Sequence, residues 1–579
     1  MSWRLKKKAQ TLLGREEGVI RKDWGGKIAF ALVYPNTYAV GRSNLGFQTI
    51  YWHLNQLPDV VCERVFFPDP EDLEEFRRTG SVPFSLESQR PLADFHMVGF
   101  SVTYEGDYIN VLRLLQMAGI PLRPEVRRPH DPLLLMGGVC AFSNPEPLAP
   151  FMDFVVVGEG EELVRELIAA YREVCEGVTP AARSRDVLLD RLATIQGMYV
   201  PAAYRMSYAA DATVAAVVPA REGVPAVVVK RRLKDVNRFE TISLLKSPQA
   251  EYGHMALLEV GKGCGRGCRF CLEGEVYRPV RHRSLEALRE TVARLATETK
   301  RVGLVGACVS DYPWIGELMK ILEEHGLEIS ISSLRADSLT EELVAAIQRG
   351  GHRTLTIAPE AGTERLRGVI RKAISDAQLY AACDLVRAHG IPNLKCYFMI
   401  GLPGETREDV EAIPDLARRL LERLSVPSRD GRPFGRLTLS ISSFVPKPWT
   451  PFQWCPFDDL RSLEEKLAVI KDGVRHLANV RVLHENPREA SLQALLARGD
   501  RRVADFLELA VRFDGNWRRA LKEWDGDPEF YTTRARGLDE TFPWDHLDVG
   551  VKKAGLIREF QRAGYPGRRP GCVPAAAAV

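Results

Sequence analysis

The sequence predicts an α/β protein with two successive units, a doubly wound parallel sheet and then a barrel or partial barrel of six strand–helix repeats, followed by a helical C-terminal region. Short apolar runs alternate with amphipathic stretches between residues 27 and 161 and again between 255 and 448. This alternation is typical of parallel sheets covered by helices. From about residue 457 the pattern is helical and charged. The expected domains are 1–180, a small mixed linker region at 181–250, 251–456, and 457–579 with a flexible end.

Composition and charge are those of an ordinary globular protein. The chain has 579 residues, 45% of them hydrophobic, and its 79 Lys and Arg nearly balance its 76 Asp and Glu. The whole molecule therefore has no strong field that would favour nucleic acid or a membrane surface. No run approaches the roughly 18 apolar residues of a membrane span, and the basic start has no cleavage site after it. We expect a cytoplasmic protein with no membrane partner and no indicated nucleic-acid partner.

Five buried strands are expected in the first unit, because its apolar runs are short and rich in Val, Ile, Leu and Phe. Their ranges are 27–35, 59–67, 96–104, 132–138 and 153–161. Stretches such as "GDYINVLRLLQMAGI" between them have helical spacing. Ligands of such sheets bind beyond the carboxyl ends of the strands, where this sequence has "SVTYEG", "GGVCAFSNPEP" and "GEGEE". Glycines at these ends would let a large ligand approach the backbone.

Six further strand-like runs form the second unit. They lie at 255–263, 301–310, 327–337, 353–362, 393–405 and 436–448. Amphipathic stretches such as "SLEALRETVARLATE" separate them. Six strand–helix repeats in succession fit a barrel or partial barrel.

Three cysteines in the glycine-rich run "GKGCGRGCRFCLEG" are the clearest chemical signal in the sequence. Cys264, Cys268 and Cys271 lie within eight residues. Zinc usually draws on ligand pairs from separate places in the chain, whereas an iron–sulfur cluster takes thiolates from one compact run. Three cysteines would leave one iron open to a substrate or cofactor.

The residues around these cysteines support an enclosing loop. The glycines that would permit positive φ are Gly263, Gly265 and Gly267. Arg266 and Arg269 are expected to favour thiolate formation. The cysteines that lie singly elsewhere, mostly in apolar segments, are interpreted as small buried hydrophobic residues.

The spacing Cys264-x3-Cys268-x2-Cys271, directly after a strand and with Phe270 before the last cysteine, resembles the signature of the radical S-adenosylmethionine (SAM) enzymes. The resemblance implies a 4Fe–4S cluster on the three cysteines, whose fourth iron is chelated by the amino and carboxylate groups of SAM. It also implies reductive cleavage of SAM to methionine and a 5′-deoxyadenosyl radical, which abstracts hydrogen from a substrate. The family fold is a partial six-unit barrel, in agreement with the six repeats.

Other residues of the second unit can be matched to this family one at a time. "LVGAC" resembles the turn that receives the SAM amino group, although Ala307 replaces the second glycine of that turn. "FMIGLPGET" resembles the fifth-strand turn near the adenine, and "IAPEAG" ends the fourth strand with an acidic side chain. The SAM contacts that the resemblance implies are Phe270, Gly306, Ser333, Arg335, Glu360, Ile400 and Gly401.

The first unit resembles the cobalamin-binding domain that precedes the barrel in one large radical SAM subgroup. The resemblance is carried by "GGVCAFSNPEPLAPFMDFVVVGEGEE" at 137–162. The implied cobalamin contacts are Ser101, Gly137, Gly138, Gly158 and Glu159.

One apparent cobalamin motif is rejected. "DFHMVG" matches the Asp-x-His-x-x-Gly pattern of other cobalamin enzymes, in which the histidine ligates cobalt. His96, however, begins a strand, at the edge opposite the ligand crevice. We therefore expect either base-off cobalamin without a protein histidine or a domain that no longer binds cobalamin.

With "FVPKPWTPFQW" after the barrel and "VRFDGNWRRALKEW" in the tail, the chain resembles a family of radical SAM proteins of unassigned function. The leading hypothesis is an enzyme that uses cobalamin to methylate or rearrange an unreactive carbon of an unknown substrate. Its electron donor would be a protein such as flavodoxin or ferredoxin.

Two alternatives remain open at this point. An RNA-modifying enzyme such as a methylthiotransferase would need extra cluster cysteines, and Cys62, Cys140 and Cys175 are not arranged as such a set. An iron–sulfur redox or SAM sensor is the non-enzymatic alternative. The sequence supplies no partners with which Cys572 could form a second cluster, and it does not indicate an oligomeric state.

Overall fold

The structure, a computed structural model, describes residues 2–175, 184–243, 245–427, 431 and 433–564. Its α-helices are α1 (Trp3–Gly14), α2 (Tyr38–Arg42), α3 (Leu45–Asn55), α4 (Pro70–Thr79), α5 (Tyr108–Met117), α6 (Val139–Ser143), α7 (Gly160–Cys175), α8 (Arg185–Ala193), α9 (Glu273–Val276), α10 (Leu285–Leu295), α11 (Ile315–Glu324), α12 (Glu341–Arg349), α13 (Glu364–Val369), α14 (Asp376–Ala388), α15 (Arg407–Leu424), α16 (Leu460–Val474), α17 (Pro487–Arg498), α18 (Val503–Arg512), α19 (Trp517–Glu523), α20 (Pro528–Tyr531) and α21 (Lys553–Arg562). Within the described ranges, none of these helices is both long enough and apolar enough to cross a membrane.

The strands are β1 (Ile28–Tyr34), β2 (Val60–Phe66), β3 (Met97–Ser101), β4 (Leu133–Gly137), β5 (Phe154–Val156), β6 (Met198–Tyr199), β7 (Tyr204–Tyr208), β8 (Val214–Pro219), β9 (Val228–Val229), β10 (Ala256–Glu259), β11 (Gly261–Lys262), β12 (Arg281–His282), β13 (Arg301–Val305), β14 (Glu328–Ile331), β15 (Thr354–Glu360), β16 (Asn393–Ile400), β17 (Arg436–Ser443), β18 (Val480–His484) and β19 (Leu547–Asp548).

The first unit is a six-stranded sheet in the order β2-β1-β3-β4-β5-β6. Strands β1 to β5 pair in parallel, and β6 joins the edge antiparallel to β5. Because β1 lies between β2 and β3, the strand order reverses there, and doubly wound sheets bind their ligands beside such a reversal. All five predicted strands are present, and the doubly wound fold is confirmed.

The second unit is an arc of parallel strands. One sheet has the order β10-β13-β14 and the next β15-β16-β17-β18, and a parallel bridge between Leu334 and Ile357 joins them. The six predicted strands are present. Strand β18, parallel to β17, is a seventh, and it lies in the region that the sequence pattern predicted to be helical.

Local sequence signals explain where the barrel helices begin. The Thr340 hydroxyl accepts a hydrogen bond from the Leu343 N–H at the start of α12. Ser375 and Gln378 form a reciprocal capping box at the start of α14. Such caps satisfy backbone donors that would otherwise lack partners at a helix N-terminus. The chain therefore turns from each strand into its helix at one rim of the arc.

Two hydrophobic cores hold the molecule together. One lies within the barrel. The other combines the first sheet with the C-terminal region, so that Trp544 and Phe506 belong to the same core as Phe30, and α18 packs against α5. The C-terminal helices thus stabilise the first unit as well as following the barrel in sequence.

The segment predicted as a linker contributes to several parts of the fold. It supplies β6 at the edge of the first sheet, the antiparallel β7–β8 pair, and β9, which pairs with β19 near the C-terminus. The predicted flexible end, with Cys572, lies outside the described residues.

Candidate functional site

The three cysteines lie on the loop between β11 and α9, which we call the cluster loop. Gly263 in this loop has a φ of 84°, and a Cβ there would lie 2.5 Å from the carbonyl oxygen of Tyr277. Gly267 has a φ of 72°. These two glycines therefore meet the prediction that the loop needs a left-handed backbone. Gly265 does not, since its φ lies outside that region.

The thiols of the cluster loop differ in their surroundings. Cys268 is buried, whereas Cys264 and Cys271 are half-buried. The Gly274 N–H lies 3.4 Å from Cys271 Sγ. Burial raises the pKa of Cys271 to about 12 and also raises the pKa of Cys268. Without a metal Cys268 and Cys271 are protonated at neutral pH, so binding of a cluster, which needs thiolates, would release protons.

Arg266 and Arg269, which were predicted to favour thiolate formation, form hydrogen bonds with acidic and carbonyl groups. Arg266 Nε donates to Asp311 Oδ2 at 2.6 Å. Arg269 Nη1 donates to the Val369 carbonyl at 2.7 Å, and its guanidinium also contacts Glu559 at 3.3 Å. These acceptors come from distant parts of the chain, so the fold rather than the local sequence decides what both arginines bind.

Two other cations lie beside Cys268 instead. Arg335 Nη1 is 4.0 Å from Cys268 Sγ. Lys372 and Arg335 both oppose the rise in the Cys268 pKa that burial causes. Lys372 also lies 6.0 Å from the centre of the Phe270 ring. Sequence analysis missed Lys372 because it belongs to no motif and follows the third cysteine by about a hundred residues.

The donor set fits a cluster better than a single ion. Within the described ranges, no three His, Cys, Asp or Glu side chains converge closely enough to hold one metal ion. The ligands of zinc meet at a single point about 2.3 Å from each sulfur, whereas each cysteine of an iron–sulfur cluster binds a different iron. Three thiols spread around one loop therefore suit a 4Fe–4S cluster held by three of its corners.

The residues assigned to SAM lie together at the carboxyl rim of the barrel. Gly306 directly follows β13, Ser333 follows β14, Glu360 ends β15, and Ile400 ends β16 with Gly401 next to it. Because these strands are parallel, their ends share one edge. The topology brings these residues to the side of the barrel that carries the cluster loop.

The predicted SAM residues of the third and fourth strands have partners within the protein. Glu360, at a φ of 71°, accepts a hydrogen bond from Lys372 Nζ at 3.0 Å. Arg335 donates to both carboxylate oxygens of Asp337 at 2.9 Å, and Ser333 is exposed. Arg335 and Glu360 are therefore held in place before any ligand arrives.

The remaining predicted SAM residues pack against the protein. Ile400 is fully buried in the barrel core, and Phe270 is half-buried against the core of the first unit. Gly401 has a φ of 77°, and its N–H donates to Glu405 Oε2 at 2.8 Å. A contact of any of these residues with SAM stays a prediction.

A cavity of about 780 Å³ lies between the carboxyl edge of the first sheet and the barrel rim. This volume is within the usual range for ligand pockets. All five residues predicted to contact cobalamin line it, and so does Gly306. The part of the cavity nearest the sheet is lined by apolar side chains, namely Phe30, Leu32, Leu135, Val164 and Leu167.

Two of these cavity glycines are needed by the fold itself. A Cβ on Gly138 would lie 2.4 Å from the Val102 carbonyl oxygen, and one on Gly158 would lie 2.1 Å from that of Arg231. Both glycines also have positive φ. Gly137 differs, because the nearest atom to a Cβ at this position would be Val156 Cβ, at an ordinary 3.8 Å.

Ion pairs join the first unit to the barrel around the cavity. Glu159 accepts hydrogen bonds from both terminal nitrogens of Arg281, at 2.8 and 2.6 Å. Lys447 Nζ lies 2.6 Å from Glu105 Oε1. Lys262, two residues before the first cysteine, lies 2.9 Å from Glu161 Oε1. These contacts fix the two units face to face, and the pairs are too far apart in sequence for a motif to reveal them.

His96 lies where the sequence analysis placed it. It directly precedes β3, and its Nδ1 accepts a hydrogen bond from the Ala29 N–H at 2.9 Å. The cavity is at the other end of this strand, where Ser101 lines it. His96 supports the amino edge of the sheet.

Comparison with known proteins agrees with this geometry. Residues 46–201 match the family model described as radical SAM proteins, N-terminal, and residues 258–417 match the model of the radical SAM superfamily. Together the two matches span both units and more than half of the chain. The chain belongs to the radical SAM superfamily and is a radical SAM enzyme, a class that works with a 4Fe–4S cluster and SAM.

Similarity to individual relatives does not assign a substrate to this chain. An uncharacterized protein of Methanocaldococcus jannaschii is 28% identical over 483 residues, which are 83% of this chain and 90% of that protein. The threonylcarbamoyladenosine tRNA methylthiotransferase MtaB of Treponema pallidum is 31% identical over 176 residues, 28% of this chain and 36% of that enzyme. A solved structure of the radical SAM methyltransferase TsrM from Kitasatospora setae has a TM-score of 0.44 at 16% identity, covering 74% of each chain.

Proposed function

We propose that this radical SAM enzyme binds cobalamin between its two units and uses it to methylate or rearrange an unreactive carbon. The observation that carries the proposal is the cavity of about 780 Å³, which the carboxyl edge of the first sheet shares with the barrel rim. A cofactor in this cavity would face the predicted SAM site, because Gly306 lines the same space. The substrate would have to reach this shared space.

The lining of the cavity supports cobalamin held without a protein ligand to cobalt. No histidine is among the described residues that line it. Its apolar part lies between the first sheet and helices α3 and α7, which contribute Ile50 and Val164. Such a surface suits an apolar base released from cobalt, while the backbone at Ser101 and Gly137 offers polar groups at the strand ends.

The chain's own residues would prepare the site for the chemistry. When bound, the cluster and SAM supply the radical chemistry of the class. Lys372 orients the Glu360 carboxylate at the barrel rim, and Glu105 and Lys447, which pair with each other, line the cavity. Ion pairs and apolar side chains together line the space between the units.

A cavity-filling variant tests cobalamin binding. In Gly137→Gln the new side chain would enter the cavity without a backbone clash, because Gly137 has an ordinary φ and a Cβ there would meet only Val156 Cβ, at an ordinary 3.8 Å. Gly316→Gln is the matched control, since Gly316 is exposed on α11 and has no atom near its Cβ position. Each protein is reconstituted anaerobically with iron, sulfide and hydroxocobalamin and analysed for iron, sulfide and cobalt.

We expect cobalt in the parent protein and in Gly316→Gln, and a severalfold lower cobalt content in Gly137→Gln at equal iron. Iron and sulfide without cobalt in the parent would refute the cobalamin part of the proposal. The assignment to the radical SAM class would stand in that case.

A methylthiotransferase activity is the second candidate, because MtaB resembles 28% of this chain at 31% identity. The cysteines available for a second cluster are unfavourably placed. Cys62, Cys140 and Cys175 are buried on three different elements, β2, α6 and α7. About eight irons per chain would favour a second cluster and this alternative, whereas about four would count against it.

We also propose that the enzyme works in the cytoplasm with an electron carrier such as flavodoxin or ferredoxin. All the described cysteines are free thiols. Free thiols and an oxidisable cluster suit a reducing compartment. Fractionation of cells that express the full chain, followed by immunodetection, tests the location.

A further inference from the structure

Two partly exposed arginines cover the outer side of the cluster loop. A Cβ on Gly267 would lie 3.0 Å from Arg278 Nη2 and 3.4 Å from Arg371 Nη1. The two arginine side chains are 42% and 50% exposed. Gly267 itself is buried beneath them, between the first and second cysteines. Both guanidinium groups therefore touch the loop and face solvent.

Two more arginines extend this surface. Arg232 is exposed, and its Nη1 lies 3.4 Å from the carbonyl oxygen of Arg278. Arg562 is 68% exposed at the end of α21, and it shares Glu559 with Arg371. We call Arg232, Arg278, Arg371 and Arg562 the arginine surface.

The arginine surface presents positive charge although three of its members, Arg278, Arg371 and Arg562, are paired with two acids. Glu275 lies 3.4 Å from Arg278, and Glu559 lies 3.2 Å from Arg371. These carboxylates are only 9% and 19% exposed. An approaching molecule therefore meets the guanidinium groups before it meets the acids.

The arginine surface lies beside the cluster loop and not in the cavity that a substrate would enter. Gly263 and Leu272 of the cluster loop line the cavity, whereas Arg278 and Arg371 contact the loop at Gly267. A substrate must enter the cavity, but a molecule that only delivers an electron needs the shortest distance to the cysteines. Gly267 is adjacent to Cys268 and three residues from Cys264.

We propose that the arginine surface is the docking site for an acidic electron-carrier protein of the flavodoxin or ferredoxin type. The carrier would give up one electron and the oxidised cluster would take it up, with no bond formed or broken. This inference rests on the proposed function, because only an enzyme that reduces its cluster needs such a carrier. Opposite charges on the two surfaces would speed the encounter most at low salt.

The test is the rate of cluster reduction by a reduced acidic flavodoxin, followed by stopped-flow absorbance and by electron paramagnetic resonance. Loss of two charges in Arg278→Gln/Arg371→Gln should slow this reduction by about five- to tenfold at low ionic strength and weaken its dependence on salt. Arg278→Lys/Arg371→Lys keeps the charge and should retain a rate near that of the parent.

The matched control is Arg289→Gln/Arg349→Gln. Both of its arginines are 55% exposed and paired with acidic residues on the outer barrel helices. This variant has the same change in net charge and should be reduced like the parent. Photoreduced 5-deazariboflavin, a small neutral reductant, should reduce all four proteins equally.

Equal rates in the parent and in Arg278→Gln/Arg371→Gln would overturn the proposal, and so would an equal slowing in the control. If the double glutamine variant lost affinity for tRNA while the flavodoxin rate stayed unchanged, the surface would be assigned to nucleic acid instead. Failure of the proposed function is distinguishable. In that case deazaflavin would reduce the cluster but cobalamin would be absent, whatever the rate with flavodoxin.

Discussion

Replacing Lys372 with methionine should destabilise the barrel, because it leaves the Glu360 carboxylate largely buried without its cation. Nζ and Oε1 are 3.0 Å apart, and the two side chains are 9% and 13% exposed. Removal of one partner from a buried pair costs about 3–5 kcal/mol. Since Glu360 keeps some contact with solvent, we expect about 3 kcal/mol. At roughly 2–4 °C per kcal/mol for a unit of this size, the midpoint of barrel unfolding should fall by about 6–12 °C.

Thermal unfolding of the cluster-free protein, followed by circular dichroism, measures this change in a double-mutant cycle. Glu360→Gln removes the carboxylate, so Lys372→Met/Glu360→Gln should recover most of the lost stability, with an interaction energy of about 2 kcal/mol. Lys246→Met is the control, because the carboxylate of its partner Glu298 is about half exposed. The reasoning would be refuted if the unfolding midpoint of Lys372→Met fell no further than that of Lys246→Met. It would also be refuted if the effects of Lys372→Met and Glu360→Gln were additive.

Three further predictions follow from the described geometry. Gly263→Ala should bind severalfold less iron on reconstitution, because its Cβ would meet the Tyr277 carbonyl. Gly265→Ala is the control and should bind iron normally. An equal loss of iron in both variants would contradict the prediction. Burial raises the pKa of Asp107 to about 7, so ionisation of this carboxyl lowers the stability of the protein as pH rises from about 4 to 7. Asp107→Asn should therefore raise the unfolding midpoint at pH 8 but not at pH 4. A shift independent of pH would exclude that cause. Burial lowers the pKa of His53 to about 4, so the protein should lose stability as pH falls from about 6.5 to 4. His53→Phe should lessen that loss when its thermal unfolding is compared with that of the parent. An unchanged dependence of the midpoint on pH would contradict this prediction.

Pattern alone predicted most of the strands, because a strand buried on both faces needs a continuous apolar run. β1 shows this, with nearly every residue buried. The pattern missed β18, whose five residues alternate in character and are only partly buried at the edge of the barrel sheet. An edge strand faces solvent on one side, so its sequence carries a weaker signal.

The cluster cysteines were found because their chemistry depends on close spacing in the sequence. The cations that lie beside these cysteines were not found from the sequence. Arg266 and Arg269 are adjacent to the cysteines, yet they bind Asp311 and Glu559, which the fold brings from elsewhere. Lys372 lies beside Cys268 only because the fold brings the segment between α13 and α14 next to the cluster loop.

By itself, the sequence determined the two α/β units, the cluster loop and the superfamily, since strands, glycine turns and ligand spacing depend on neighbouring residues. Only the tertiary structure decided that the two units face one another across a cavity and that Arg278 and Arg371 cover the outer side of the loop. Both features depend on side chains that lie tens to hundreds of residues apart. Charge and volume at such places are set by packing between elements, which no local pattern records.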